Sequence, residues 1–156
     1  MTPRLRQAYL TTLITLVVQF MLGMATNLFV QIPTNHPGAN PPEYFSGVAQ
    51  SVTWAILRGP SIWLVLHAVL GLLLVLSAFG LIFQTIPIRN RLAITTSVTG
   101  ALAVLAAGFN GGSYLNYHQD FSSMLMATFF AIAVTAYMVG LWGLPRQQES
   151  RTSAAR

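Results

Sequence analysis

Between Arg6 and Glu43 the chain carries no Asp, Glu, Lys or Arg, and three more such gaps follow, from Arg58 to Arg89, Arg91 to Asp120 and Asp120 to Arg146. Each holds an apolar run close to the roughly 20 residues that carry a helix across the hydrocarbon core of a bilayer. Of 156 residues, 54% are hydrophobic and 7% charged, where a soluble domain has about a quarter charged. The predicted fold class is all-α, an integral membrane four-helix transmembrane bundle with an outer lid. Four spans and their connections use nearly the whole length.

The first span is read at about 8–32, from Ala8 to Ile32 before Pro33; it exceeds a typical signal-peptide core and reads as a retained helix. Residues 33–59, "PTNHPGANPPEYFSGVAQSVTWAILRG", form the lid. Its Pro and Gly cluster at 33–42 resists regular structure. Tyr44 to Leu57 has no breaker beyond Gly47 and predicts a short surface helix with Trp54 at headgroup depth. The second span is read at about 60–84, with Pro60 in its first turn, and the third at about 92–109, ended by the turn signal Asn110-Gly111-Gly112. The fourth is read at about 118–144, starting near Ser113 or Asp120 and stopped by Pro145. Residues 1–145 then form one membrane domain, and 146–156 a disordered cytoplasmic tail.

Every basic residue is arginine. Arg4, Arg6, Arg89, Arg91, Arg146, Arg151 and Arg156 fall on one side of this layout and only Arg58 on the other. The positive-inside rule makes both termini cytoplasmic and turns the lid and the 110–120 segment outward, with a bacterial plasma membrane as the expected location. The net charge of +5 is thus a topology signal, and nucleic acid is not an expected partner. With no cysteine, disulfides, thiolate zinc sites, cysteine-ligated iron–sulfur clusters and thioether-attached haem are excluded.

Thr12, Thr15, Gln19, Gly23 and Thr26 recur at three- and four-residue steps and share a helix face. Lipid offers Gln19 no partner, so this face should turn inward, as interhelical glue or as a ligand site. Thr96, Gly100, Ala103 and Ala107 form a small-residue packing face on the third span, and Ala127, Ala131 and Thr135 repeat the device on the fourth, where Tyr137 and Trp142 approach the cytoplasmic interface. No central position is charged, which argues against a carboxylate relay. A small transporter on the Gln19 face would work through neutral groups.

The segment "WLVLHAVLGLLLVL", residues 63–76, buries one imidazole, His67, roughly 10 to 13 Å below the outer surface. An ionisable group at that depth is a functional candidate. It either bonds a neighbouring helix, through Gln19 or Asn27, or ligates a cofactor, with Gly71 one turn on clearing space for a flat ring. "HAVLGLLLVL" resembles the ligand-bearing helices of four-helix membrane cytochromes b. The order of four spans, a long outer first loop and a histidine in the second span is similar to one half of a haem A synthase. That family places a carboxylate one turn before its first histidine and often a cysteine pair in the outer loop. Here Trp63 and Leu64 occupy that turn and cysteine is absent, so the resemblance implies haem b binding, not synthase chemistry. It implies His67 as one axial ligand and a second histidine in the fourth span, where His118 is the candidate.

His67 stands 22 residues above Arg89 and His118 stands 28 above Arg146, an offset of about six residues, or roughly 9 Å along straight helices. Met124 and Met126 lie closer to the depth of His67, and Met with His is a known axial pair. His36 is a further candidate if its loop folds inward; as a loop residue it is expected in solvent. The segment "FNGGSYLNYHQDFSS" crowds Asn110, Ser113, Tyr114, Asn116, Tyr117, His118 and Asp120 together, either as a site for a quinone headgroup, a haem propionate or a partner subunit, or as an ordinary interfacial boundary. Asp120 could orient His118 or pair with Arg58. The leading expectation is a haem-b membrane protein for electron transfer beside a quinone, with nothing indicating catalysis by the chain itself. A cofactor-free accessory or assembly subunit, packed on other membrane subunits or on a second copy, is the alternative, and a small transporter is the third.

Overall fold

The computed structural model describes residues 2–144; Pro145 and the tail expected to be disordered lie outside the described residues. Five α-helices and no strand occur among the described residues: α1 (Pro3–Phe29), α2 (Tyr44–Arg58), α3 (Ile62–Thr85), α4 (Arg91–Tyr117) and α5 (Asp120–Gly143). All but α2 are long and apolar enough to cross a membrane. Helix starts follow local chemistry. Thr2, Ser61 and Asn90 accept from the amides of Leu5, Trp63 and Ala93, satisfying donors a first turn leaves unpaired. Pro60 lies one residue before the Ser61 cap, outside the first turn where the sequence reading placed it. A 3₁₀ turn at Ile86–Ile88 and left-handed Arg89 (φ 52°) reverse the chain between α3 and α4.

The long helices close a ring in the order α1, α3, α4, α5 and back to α1, while α2 lies across one end on α3 and α4. We call this the lid end. Outward faces of the ring are apolar, as at Ile14, Leu73 and Leu102. The core runs through Leu16, Leu74, Ala78, Leu81, Ala101, Val104 and Ala133.

Toward the opposite end the ring is packed tightly over glycines. A Cβ on Gly100 would meet ring atoms of Tyr137 at 2.4 to 2.9 Å, and one on Gly140 would meet the Tyr9 ring at 2.5 Å and Thr96 Oγ1 at 2.7 Å. The two tyrosine rings meet edge to face, with centroids 6.0 Å apart. The Tyr9 hydroxyl reaches the Ala93 carbonyl at 3.1 Å, Thr96 at 3.0 Å and Ser97 at 3.2 Å, and Ser97 donates to Thr85 at 3.1 Å and to the Ala93 carbonyl. Interhelical hydroxyl bonds of this kind join α1, α3 and α4 in a medium without competing water. Tyr137 is wholly buried here.

Two further expectations are corrected. Ala127, Ala131 and Thr135 are exposed, and α5 packs through Ala133, Ala136, Tyr137 and Gly140; two small-residue faces compete on that helix, and the one that admits the bulky tyrosines is the one buried. Asn110-Gly111-Gly112 does not end the third long helix, which continues to Tyr117. Turn propensity only permits a turn, and here the glycines serve close approach. A Cβ on Gly112 would meet Val48 Cγ1 at 2.6 Å, one on Gly111 would lie 3.3 Å from Met126 Sδ, and Asn110 spends its amide on the Ala106 carbonyl one turn back.

The lid is fixed to the end of α4. The last carbonyls of a helix lack intrahelical partners; Tyr114 is satisfied by the His118 amide at 2.8 Å, Asn116 by the Asn40 amide at 2.9 Å and Leu115 by the His36 ring at 3.0 Å. The fully buried Asn116 side chain, with its amide oriented to suit its neighbours, donates to the Gly38 and Gly112 carbonyls at 3.1 Å and accepts from the Val48 amide at 3.2 Å. Glu43 caps α2 by accepting from the Phe45 and Ser46 amides. Those amide bonds, that to Ser46 foremost, hold its carboxyl below the ordinary range by favouring the charged form.

Candidate functional site

Beneath the lid, all four long helices and α2 surround a cavity of about 440 Å³, within the range of small-molecule sites. Its wall is mostly apolar, and the polar residues on it include Gln19, Thr26, Asn27, His67 and His118. The Gln19 face of α1 therefore turns toward the bundle. Gln19 Nε2 donates to the His67 backbone carbonyl at 3.0 Å and lies 3.5 Å from ring Nε2. The imidazole lies against Gly23, where a Cβ would meet its Cε1 at 2.9 Å. Any side chain there would displace the ring.

Gly71 lies on the cavity wall. The end of Gln19 stands beside it, with Nε2 3.0 Å from where a Gly71 Cβ would stand. Of the two partners foreseen for His67, Gln19 is the one used; Asn27 lies on the cavity wall and is otherwise exposed.

His118 caps the end of α4 instead of opening the fourth span, and adopts a left-handed conformation with φ 53°. Glycine normally takes that conformation at a helix end; a side chain there adds backbone strain. The new position narrows the depth mismatch. Val75 and Gly108 face each other across antiparallel α3 and α4, so eight residues along each helix bring His67 level with Asn116. His118 then stands two residues further, an offset of about 3 Å.

Among the described residues, five buried side-chain polar atoms have no hydrogen-bond partner: Gln19 Oε1, Thr26 Oγ1, His67 Nδ1, His118 Nε2 and Tyr137 Oη. Four of these belong to residues on the wall of this one cavity. Buried polar groups are as a rule paired, and each unpaired one costs about 1 to 3 kcal/mol. Unpaired polar atoms thus concentrate in the residues around one space.

The remaining candidates divide. Met126 and Tyr114 also line the cavity, while Met124 is 57% exposed and Tyr117 is half-buried off the wall. Asp120 and Arg58 are exposed, in the first turn of α5 and the last turn of α2; a carboxylate suits a helix N-terminus. His36 is the largest departure, since it is 7% exposed and not solvated. Its ring is enclosed because the Pro-rich loop folds inward over α4 and stacks it on Trp54, centroids 4.1 Å apart and planes 13° from parallel. No spacing rule would have found the contact of the His36 ring with the Leu115 carbonyl, 79 positions away in sequence. No group of three or more His, Asp or Glu side chains gathers among the described residues.

Comparison with protein-family models, curated proteins and solved structures finds no match to this chain.

Proposed function

We propose that the chain is an integral membrane protein that binds haem b in the cavity beneath the lid and serves electron transfer. The observation carrying this reading is that His67 and His118, on different helices, line one apolar cavity, each with a buried ring nitrogen lacking a partner. Neutral imidazole is a common axial ligand, and four-helix bundles hold such cofactors between facing helices. A haem held by two imidazoles supplies a one-electron couple.

His67 and His118 would be the two ligands. Gln19, bonded to the His67 carbonyl, holds that turn of α3 against α1, and Gly23 leaves room for the ring. The apolar wall keeps water from the centre. By the arginine distribution the lid end faces outward and both termini face the cytoplasm. A quinone beside the same cavity is favoured by the two unpaired atoms that axial ligation does not use, Gln19 Oε1 and Thr26 Oγ1.

The test is an absorption spectrum of protein purified from haem-replete cells. A Soret band is expected, lost in His67→Ala and His118→Ala while circular dichroism stays helical. Wild-type protein that is colourless and co-purifies with other membrane subunits overturns the haem reading in favour of an accessory subunit.

A further inference from the structure

The seam between α1 and α5 changes character along its length. Away from the lid the two helices touch closely, where a Cβ on Gly140 would meet the Tyr9 ring at 2.5 Å. Midway they meet through Phe20 and Phe130, stacked with centroids 5.0 Å apart and planes at 22°. Beyond that stack each helix turns to its other neighbour. On α1, Gly23 lies against His67 of α3, and Val30 and Ile32 just past the helix pack on Ala55, Leu64 and Leu115, which α2, α3 and α4 supply. On α5, Met126 lies against Gly111 of α4.

One turn past the stack on each antiparallel helix, Met24 comes level with Ala127, and two turns past it Asn27 comes level with Ser123. All four line the cavity, and Met24, Asn27 and Ala127 are also exposed on the outside of the bundle. Residues that belong to an inner wall and to an outer surface at once are the edges of an opening. Leu72 and Phe109 share this double character on the other side of the bundle, but there Val75 reaches across to Gly108 and Phe45 of the lid packs edge-on against Phe109. The α1–α5 seam has no such bridge above Phe20 and Phe130 among the contacts just described.

This slot faces lipid. With α5 starting at Asp120, Ala127 and Phe130 lie roughly 10 to 15 Å along the helix from its lid end, inside a hydrocarbon core about 30 Å thick. No Asp, Glu, Lys or Arg among the described residues lines the cavity, so nothing there offsets the cost of taking a charged head group out of water. The polar groups on offer are neutral. Gln19 and the buried Thr26 each hold a side-chain oxygen without a partner, and Asn27 carries an amide at the edge. A hydroxyl or amide N–H can donate to a ring carbonyl, and an amide oxygen can accept from a ring hydroxyl.

We infer that a long-chain isoprenoid quinone enters this slot sideways from the bilayer, its head toward Gln19 and Thr26 and its chain trailing between Met24 and Ala127. The Phe20–Phe130 stack is the floor of the slot. A ligand arriving by this route leaves the attachment of the lid to α4 intact. The choice of a quinone head rests on the function proposed above, whereas the slot does not.

The test measures retention of decylubiquinone by full-length protein in nanodiscs, relative to empty discs. Ala127→Trp and Met24→Trp fill the slot from either side, and each should weaken retention roughly tenfold. Ala131→Trp, one turn along the same exposed face and off the cavity wall, should change it by less than about twofold. Wild-type retention no greater than that of empty discs, equal losses in all three variants, or no loss in either slot variant overturns the inference. Photo-crosslinking of the wild-type protein checks the route without substitution. A diazirine on the chain of the probe should mark Met24, Ala127 or Phe130, and adducts spread over outward residues such as Ile14, Leu73 and Leu102 overturn it too. A protein with a Soret band that retains no quinone loses the slot and keeps the haem; a colourless one whose quinone is lost in Ala127→Trp does the reverse.

Discussion

The two ends of the bundle treat buried polar groups in opposite ways. Away from the lid, Tyr9, Thr85, Thr96 and Ser97 satisfy one another and the Ala93 carbonyl, and rings lie directly on glycine backbone. Under the lid, Gln19, Thr26, His67 and His118 border open space with an unpaired atom each. One end leaves a single buried atom unpaired among the described residues, the Tyr137 hydroxyl, and the other leaves four. The tyrosine network needs no functional explanation, whereas the cavity polar groups are unfavourable unless something else meets them.

The sharpest way to break this contrast is by adding one methyl group at each end. Gly100→Ala pushes a Cβ into the rigid Tyr137 ring and should lower stability by about 2 to 3 kcal/mol, as overpacking does, measured by denaturant unfolding in micelles. Gly71→Ala meets only the end of the flexible Gln19 side chain and should change stability by less than about 1 kcal/mol. Equal losses would mean that the two ends are packed alike.

Next in size is Tyr9→Phe, which strips the centre from the hydroxyl network and should destabilise by about 1 to 2 kcal/mol. Smaller, and opposite in sign, is Thr26→Val. It removes an unpaired buried hydroxyl at nearly constant shape and should raise stability of ligand-free protein by about 0.5 to 1 kcal/mol; a loss instead would show that Thr26 is already paired. The smallest effect is local. Because the Glu43 carboxyl is held below its ordinary range, its cap on α2 is intact above that range and lost as pH falls through it. Amide protection at Phe45 and Ser46, corrected for intrinsic exchange, should fall at acid pH, below the ordinary carboxylate range, while the Tyr9 network is unmoved.

Much of the fold was legible because uncharged runs and caps are local signals. The four apolar stretches, the Tyr44–Arg58 helix and the inward Gln19 face follow from periodicity and from the cost of unpaired polar groups in an apolar medium. What escaped were choices made by distant partners. Gly111 and Gly112 look like a turn until Val48 and Met126 are seen to need the space, and either small face of α5 could have been buried until Tyr9 and Tyr137 select one. At the candidate site, His67 with Gln19 could be read from helix spacing. His118 belongs with α4 for the same reason that the glycines do not form a turn, and the inward fold that makes His36 a candidate depends on Trp54 and Leu115, partners on α2 and α4 that its own loop does not announce.

The lid's attachment to the end of α4 also orders the events of synthesis. Residues 36–51 leave the ribosome long before Leu115 and Asn116, whose groups they are to meet. During that interval the chain of α3 and most of α4 is made while the loop has nowhere to dock, so the roof cannot close until α4 is complete. A chain truncated before residue 115 would keep its first two long helices and leave this segment hanging.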